Sequence, residues 1–253
     1  MVEFYRFKYL NKYDNLMHAV TQKSSFYDYE LSLAMHTGES KNKIKSNREL
    51  IAKNFSPKSE LFFVVANQTH SSNIKVIKQR ETKGWLSSED AIENCDALVT
   101  NLSNVVLTML TADCVPILLY DREKDVIAAV HAGWKGTKGK IVVKTLLKMQ
   151  EEFASNMKDI VVGIAPSIGK CCYEVGEDVA KHFFDTPEGM RKIGEKYMLD
   201  LPFINQKQLI DVGVDPENIE MSNICTSCKV ERYFSYRKEK GCSGRFMSMI
   251  GLL

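Results

Sequence analysis

The sequence predicts an α+β fold built from mixed sheets, and three observations support this class. Short apolar runs bounded by turn residues recur along the chain and are typical of buried strands. Segments with apolar residues at helical spacing lie between some of these runs, but they do not alternate with them regularly. Two of the runs are separated only by residues 121–125, which is typical of an antiparallel hairpin. These features favour an α+β sandwich over a doubly wound parallel sheet.

The predicted elements are six strands and three helices. The strands cover residues 61–66, 105–110, 115–120, 126–130, 160–164 and 246–250. The first helix covers residues 41–55, with Ile44, Ile51 and Phe55 on one face, and the second carries Val142, Leu146, Met149 and Phe153 after Gly136 and Gly139. The third follows Gly176 and carries Val179 and Phe183. Neither a linker nor a repeat interrupts the chain, so we expect one domain over residues 1–253.

The composition narrows the classes of partner. Hydrophobic residues make up 44% of the 253 positions, which is ample for one large core. Charged residues make up 26% and nearly cancel to +2, so no basic stripe indicates nucleic acid or a membrane surface. The N-terminal segment lacks an apolar run of signal-peptide length, and no stretch approaches the roughly 20 apolar residues of a membrane span. We expect a cytoplasmic protein with a small-molecule substrate.

Cysteine and histidine usage indicates free thiols or metal ligands. The seven cysteines are an odd number, and a cytosol keeps thiols reduced. Two of the five histidines, His70 and His131, follow apolar strand patterns, and Cys114 follows a third. Two imidazoles and one thiolate suit zinc, which in catalytic sites keeps a fourth position open. The alternative is that each is an ordinary core residue, because separations of 44 and 17 residues match no short zinc signature.

Five segments resemble the YfiH-type laccase-domain family, whose members are known as polyphenol oxidases and as purine nucleoside phosphorylases. They are QTH (68–70), TADCVPILLYD (111–121), AAVHAGWKGT (128–137), GIAPSIGKCCYEVGEDV (163–179) and YFSYRKEKGCSGRFMSMIGL (233–252). The resemblance runs from about residue 30 onward and is most specific in the TADC and HAGW blocks.

The resemblance implies a fold, a metal site and an activity. The fold is a four-layer α/β/β/α sandwich related to the catalytic domain of cytotoxic necrotizing factor. The metal is zinc, with copper as a possible occupant, held by His70, Cys114 and His131. The substrates are purine nucleosides and phosphate: adenosine, inosine and methylthioadenosine are cleaved by phosphorolysis, and adenosine is also deaminated. The oligomeric state is not predicted.

Two departures from the family pattern concern phosphate. The family often has Arg after HAGW where this chain has Lys135, and its glycine-rich N-terminal block is reduced to ELSLAMHTGE. Lysine preserves a basic contact but weakens a bidentate phosphate clamp. Arg48, Lys135, Arg237 and Arg245 are the candidate phosphate ligands, with solvated surface charge as the alternative for each. We favour Arg48 and Lys135, because both lie in family-like segments.

Further candidates surround the predicted metal site. Asp113 adjoins Cys114 and is predicted either to accept an imidazole N–H, to accept a proton in the reaction, or only to cap a turn. Trp134 is a candidate for stacking on a purine or for filling the core. Cys172 and Glu174 are candidates for approaching the site, with packing and loop roles as the alternative.

The pair Cys225 and Cys228 forms a CxxC motif of its own. A structural zinc would need two more ligands, for which Cys242 is the only nearby cysteine in the sequence, and a redox role would need a strand-to-helix turn. We interpret the motif as structural or incidental, with redox chemistry or metal binding as the alternatives.

Three functions therefore compete. The first is a zinc-dependent purine nucleoside phosphorylase with adenosine deaminase activity. The second is a copper-dependent phenol oxidase, which five histidines support poorly because multicopper sites need around ten. The third is a thiol hydrolase acting on cell-wall peptides, with Cys114 as nucleophile and His131 as base.

Overall fold

Fourteen strands and five α-helices form the framework of the computed structural model, which describes residues 2–56, 60–241 and 243–253. The strands are β1 (Phe4–Tyr5), β2 (Leu16–Thr21), β3 (Phe62–Val65), β4 (Ile74–Val76), β5 (Ala97–Thr100), β6 (Val105–Thr111), β7 (Val115–Asp121), β8 (Val126–Ala132), β9 (Ile160–Ile164), β10 (Glu174–Val175), β11 (Met190–Ile193), β12 (Lys196–Leu199), β13 (Ile219–Met221) and β14 (Phe246–Leu252). The helices are α1 (Lys41–Phe55), α2 (Trp134–Lys138), α3 (Ile141–Phe153), α4 (Glu177–Ala180) and α5 (Leu201–Asp211).

Two large mixed sheets carry most of these strands. The first has the order β1-β2-β14-β6-β3, with β3 and β6 parallel and the other pairs antiparallel. The second has the order β13-β9-β7-β8-β5-β4, with parallel pairs at its two edges. A small antiparallel sheet, β10-β12-β11, pairs with neither large sheet, but Val175 and Leu199 pack in the same buried cluster as the second sheet. The predicted α+β class with mixed sheets is confirmed.

Alternating apolar side chains stack the sheets into layers. Leu107 on β6 and Leu118 on β7 belong to one buried cluster, which fills the space between the two large sheets. Leu110 lies on the opposite face of β6 and clusters with Ile51 of α1. Ile117 lies on the opposite face of β7 in the cluster that contains the buried residues of α3 and α5. Because strand side chains alternate between faces, helices cover both outer surfaces and give the expected α/β/β/α arrangement.

The structure confirms the predicted strands and the first two helices, and it adds elements. The six predicted strands correspond to β3, β6, β7, β8, β9 and β14, and residues 121–125 link an antiparallel pair. The third predicted helix is α4 followed by a 3₁₀ turn at Lys181–Phe183. Helix α5 was not predicted, and its apolar pattern is mixed: Asn205 is buried, while Ile210 is 38% exposed. None of the helices in the described ranges combines the length and the hydropathy of a membrane-spanning segment.

Candidate active site

Cys114 lies where the chain crosses from one large sheet to the other. Strand β6 ends at Thr111 in the first sheet, and β7 begins at Val115 in the second, so residues 112–114 form the crossing. Pro116 of β7 pairs with His131 near the end of β8. The antiparallel register therefore brings Cys114 and His131 to the same end of the second sheet.

The structure brings His70, Cys114 and His131 together, and we call these three residues the mixed-donor set. His70 lies in the loop after β3 with a left-handed backbone, φ +59°, which non-glycine residues rarely adopt. Its Nε2 atom is 3.7 Å from the Sγ atom of Cys114, and one donor atom from each of the three residues lies within 4.8 Å of the others. Ligands at tetrahedral angles around zinc have an N to S separation of about 3.6 Å, so the donor set fits this metal.

Asp96, for which the sequence carries no local signal, organises two of the three donors. Its buried carboxylate accepts hydrogen bonds from the backbone N–H of Thr69, His70 and Ser71 and from the Ser71 hydroxyl. Its Oδ1 atom also lies 2.7 Å from Nδ1 of His131. An ionised Asp96 therefore assigns the proton of a neutral His131 to Nδ1 and leaves Nε2 free to bind a metal. Asp96 takes the imidazole N–H acceptor role, which is one of the three alternatives predicted for Asp113.

Close contact shifts the pKa values of these groups. Burial raises the pKa of the Cys114 thiol, but the charge and hydrogen bonds of His131 and the hydrogen bond of His70 together lower it to about 6. Burial lowers the pKa of His131, but Cys114 and Asp96 raise it to about 9. Burial also raises the pKa of Asp96, whereas hydrogen bonds from His131 and Ser71 bring it well below its usual range. The set favours a thiolate beside the histidines.

Gly133 of the HAGW motif leaves room for the mixed-donor set. A Cβ atom at this position would lie 2.9 Å from Sγ of Cys114 and 3.0 Å from Cδ2 of His70. Real Cβ atoms do not approach other heavy atoms this closely, so any larger residue would displace a donor. The glycine thus explains part of the motif on which the resemblance depends.

The mixed-donor set lines a cavity of about 860 Å³. This volume lies within the range of roughly 300–1,000 Å³ that is common for small-molecule sites. Three arginines, Arg48, Arg237 and Arg245, also line the cavity, together with His36. Burial and the charges of Arg245 and Arg48 lower the pKa of His36, which indicates a positive potential in this part of the wall.

Arg48 is almost completely buried and is held by backbone carbonyl groups. Nε donates to the carbonyl of Leu33 at 2.9 Å, and Nη1 donates to those of Gly84 and Trp85 at 2.6 and 2.7 Å. The side chain is 2% exposed, and burial lowers its pKa to about 10. Arg48 therefore joins α1 to two loops of the cavity wall while contributing positive charge to it.

The structure does not bring Lys135 into the cavity. Lys135 is exposed on the first turn of α2, with its Nζ atom 5.7 Å from the ring centre of Trp134. Trp134 does line the cavity and also stacks on His182, at 5.9 Å between ring centres. Successive helical residues point about 100° apart, which turns Lys135 away once Trp134 faces inward.

Asp113 lines the cavity, but both of its carboxylate oxygens have partners. Oδ1 accepts from the Thr226 hydroxyl at 2.7 Å, and Oδ2 accepts from the backbone N–H of Arg237 at 2.7 Å. Its backbone has φ +88°, and these hydrogen bonds hold this strained conformation beside Cys114. The arrangement supports a positioning role more than a proton-accepting one.

The remaining sequence candidates lie outside the cavity lining. The side chain of Glu174 is exposed on β10, and its carbonyl accepts from Nη1 of Arg237 at 2.8 Å. Cys172 does not approach the mixed-donor set; it meets Cys171, Cys225 and Cys228 instead. Cys242 lies outside the described residues. Cys171 and Cys172 are thus two further potential ligands beside the CxxC motif, in place of the Cys242 considered from the sequence.

Comparison with known proteins identifies relatives over nearly the full chain. The family model "Multi-copper polyphenol oxidoreductase laccase" matches residues 18–253. A purine nucleoside phosphorylase of Clostridium acetobutylicum is 39% identical over 233 residues, which cover 89% of this chain and 93% of the relative. Adenosine deaminase RL5 from an unknown prokaryotic organism is 35% identical over 189 residues, 72% of each protein.

A solved structure agrees with this family at the level of the fold. The crystal structure of the hypothetical protein YfiH of Bacillus licheniformis superimposes with a TM-score of 0.89 and 30% identity, covering 94% of this chain and 93% of the other. The matched range includes the whole mixed-donor set and every residue that lines the cavity. The chain therefore belongs to the YfiH-type laccase-domain family, whose relatives include proteins named purine nucleoside phosphorylase.

Proposed function

We propose that this protein is a zinc-dependent purine nucleoside phosphorylase that cleaves adenosine, inosine and methylthioadenosine and also deaminates adenosine. The observation that carries the proposal is one cavity lined by both the mixed-donor set and three arginines. The names of the relatives support both activities. Six described cysteines are free thiols, which fits the reducing cytoplasm that we propose as its location.

His70, Cys114 and His131 would hold the zinc through two imidazoles and one thiolate. Three protein ligands are typical of catalytic zinc, and the fourth position is open to water or substrate. When bound, the metal would supply a Lewis acid and lower the pKa of a water molecule. Asp96 would keep His70 and His131 oriented for this task.

Arg237 and Arg245 are the arginines we assign to phosphate, with Arg48 as a charged support. Phosphorolysis places a dianion beside a ribose carbon that becomes positive, so the site needs fixed cations on the phosphate side. Arg237 is exposed at the cavity, and only Nη1 of its guanidinium donates a hydrogen bond to a described residue. Nη1 of Arg245 donates to the carbonyls of Ser243 and Gly244, which fixes its position.

Aromatic side chains in the cavity suit the purine. Trp134, Tyr173 and Tyr236 line it. Arginines lie over two of these rings: the guanidinium of Arg237 is 5.4 Å from the ring centre of Tyr173, and that of Arg245 is 5.7 Å from that of Tyr236. These pairs combine stacking surface with positive charge, which is what a nucleoside and a phosphate require together.

A thiol hydrolase is the second candidate, because Cys114, His131 and Asp96 have the order of a nucleophile, a base and an orienting carboxylate. The charge of His131 supports a reactive thiolate at Cys114. A zinc ligand does not act as a free nucleophile, so metal content separates the two functions. Copper-dependent phenol oxidation has less support. The two groups of potential metal ligands in the described part of the chain contain only two histidines, His70 and His131, whereas multicopper sites need around ten.

The decisive experiment combines metal analysis with product chromatography on protein purified without added metal. Inosine should be cleaved only with inorganic phosphate and should yield ribose 1-phosphate, whereas adenosine deamination should persist without phosphate. Cys114→Ala should remove one zinc and lower both activities by roughly a thousandfold, if the metal contributes several kcal/mol to each transition state. Cys95→Ala is the matched control, because it removes a buried thiol that belongs neither to the mixed-donor set nor to the group formed by Cys171, Cys172, Cys225 and Cys228.

The alternative outcomes are distinct. Release of free ribose without phosphate would make the protein a nucleoside hydrolase and would contradict the role of the arginines. A folded, zinc-free Cys114→Ala protein with wild-type turnover would overturn the metal mechanism. Activity on peptide amides that requires the Cys114 thiol but no metal would establish the thiol hydrolase instead.

A further inference from the structure

Two loops beside the cavity bring four cysteines together. Cys171 and Cys172 lie in the loop between β9 and β10, and Cys225 and Cys228 lie in the turn that follows β13. The Sγ atom of Cys228 is 3.6 Å from that of Cys171 and 3.4 Å from that of Cys172. All four sulfur atoms lie within 4.8 Å of one another. We call these residues the all-cysteine set.

We propose that Cys171, Cys172, Cys225 and Cys228 bind one zinc ion as a tetrathiolate site, separate from the mixed-donor set. Zinc prefers four ligands at tetrahedral angles, with Zn–S bonds of about 2.3 Å, so the sulfur atoms of such a site are about 3.8 Å apart. The observed separations are close to this value. None of the four cysteines lines the active-site cavity.

The geometry favours one shared ion over disulfide bonds. Cys228 is almost equally distant from Cys171 and Cys172, so the sulfur positions do not select one partner for it. Disulfide bonding instead brings two sulfurs to about 2.05 Å and separates each pair from the others. Convergence of all four on one point is what a single soft metal ion requires.

The surroundings suit a negatively charged metal centre. Four thiolates around one Zn²⁺ carry a net charge of −2, and a lysine adjoins the set in each loop: Lys170 precedes Cys171, and Lys229 follows Cys228. Both lysine side chains are exposed, and each ammonium lies beside a carboxylate, Asp200 for Lys170 and Glu231 for Lys229. The two lysines therefore contribute positive charge near the centre, but they do not contact the sulfur atoms. The backbone N–H of Gly169 donates to Sγ of Cys225 at 3.3 Å, which stabilises the thiolate form.

The site would fasten two loops that position active-site residues. Tyr173, which follows Cys172, lines the cavity. Thr226, inside the CxxC turn, donates to Asp113, the residue beside Cys114. The backbone N–H of Thr226 also donates to the carbonyl of Ser167, which joins the two loops near the cysteines. We therefore assign a structural role to this zinc, because four protein ligands leave no open position.

Zinc analysis of purified variants tests the proposal. The wild-type chain should hold two zinc ions, Cys228→Ser and Cys114→Ser should each hold one, and the double variant should hold none. Glu231→Gln is the matched control, because it changes an exposed side chain three residues after Cys228 but keeps all four sulfurs, and it should hold two. X-ray absorption at the zinc edge of Cys114→Ser should show four sulfur ligands at about 2.3 Å.

The results separate this proposal from the proposed function. A zinc content that Cys228→Ser does not lower, or a sulfur-poor shell in Cys114→Ser, would overturn the all-cysteine site. So would an intact mass lower by two hydrogens for each disulfide formed among these cysteines in freshly purified protein. If Cys228→Ser fails to fold, the absorption spectrum of Cys114→Ser still decides the question. If zinc is lost in Cys228→Ser but not in Cys114→Ser, the all-cysteine site stands and the metal of the proposed function does not.

Discussion

The two donor sets differ in what holds them in place. Two of the three mixed donors belong to the second sheet, because Cys114 directly precedes β7 and His131 belongs to β8. The third, His70, lies in a loop that is hydrogen-bonded to the buried Asp96 directly before β5. The all-cysteine set depends on two loops, and two of its members, Cys171 and Cys228, are exposed. The ends of the central strands β7 and β8 hold donors in place, and three protein ligands leave one coordination position open, which suits catalysis. Loops outside the sheets gain stability from a metal that uses all four positions, which suits a structural site.

Lowering the pH should distinguish a loss of stability in the first sheet from a loss of bound metal. His18 on β2 is buried, and its Nε2 atom accepts from the backbone N–H of Phe7 at 2.8 Å. Burial and the charge of Arg6 lower the pKa of His18 from 6.5 to about 4. The unfolded chain therefore binds the proton more readily, and stability present above the unfolded pKa is lost as the pH falls from about 6.5 to about 4.

Urea unfolding of wild type and His18→Gln across this pH range checks the effect. The wild-type free energy of unfolding should fall by up to about 3 kcal/mol more than that of the variant. Zinc content measured in parallel shows where the donor sets release metal. Equal pH slopes for the two proteins would remove His18 as the cause and assign the acid sensitivity to other groups.

The hydrogen bond between Thr226 and Asp113 connects the two sets. Thr226 is fully buried, so Thr226→Val keeps the shape but leaves Oδ1 of Asp113 without its donor. Hydrogen bonds to charged groups contribute roughly 1.5–3 kcal/mol, and the free energy of unfolding should fall by about that amount. Thr226→Ser, which keeps the hydroxyl, is the control.

A double-mutant cycle with Cys228→Ser sharpens this point. If the all-cysteine set positions Thr226, the losses of stability in Thr226→Val and Cys228→Ser should not add. Additive losses, within about 0.5 kcal/mol, would mean that the two sets are independent despite their proximity.

Asp96→Asn tests whether the buried carboxylate controls the mixed-donor set. An amide cannot accept from all five donors and offers a weaker acceptor to His131, so metal affinity should fall roughly 10- to 100-fold. Zinc competition with a chelator measures this change. Glu93→Gln, an exposed change three residues away, should have no effect. A selective loss of zinc from the all-cysteine set would contradict the assignment.

The ease of prediction from sequence follows the same division between sheets and loops. Strands such as β7 and β8 were predicted because buried strands are apolar throughout, and His70, Cys114 and His131 follow such patterns. Asp96 stands directly before β5, but its role depends on a loop 25 residues earlier and a strand 35 residues later. Tertiary packing brings these distant segments together, so no local periodicity in the sequence predicts the contacts of Asp96.

The all-cysteine set shows the same limit more strongly. Both cysteine pairs are conspicuous in the sequence, but Cys225 lies 53 positions after Cys172. Their loops meet through the parallel pairing of β9 and β13, and β13 is only three residues long. A short edge strand carries too little pattern to predict, so the sequence alone did not supply the two ligands that the CxxC motif lacked.

The smallest predicted effect concerns phosphate and decides which cations serve the mixed-donor set. Arg237→Gln removes a charge from the cavity wall but keeps the backbone N–H that donates to Asp113. Inosine phosphorolysis should fall roughly tenfold, which corresponds to about 1.4 kcal/mol of transition-state stabilisation, while deamination should change little because it uses no phosphate.

Two control variants, Lys238→Gln at an adjacent exposed position and Lys135→Ala, should leave both rates near wild type. Arg48→Ala is a poor substitute, because three backbone carbonyls would lose their donor. Equal losses of both activities in Arg237→Gln would mean that this arginine binds the nucleoside. A selective loss in Lys135→Ala would instead restore the phosphate role that the sequence predicted for it.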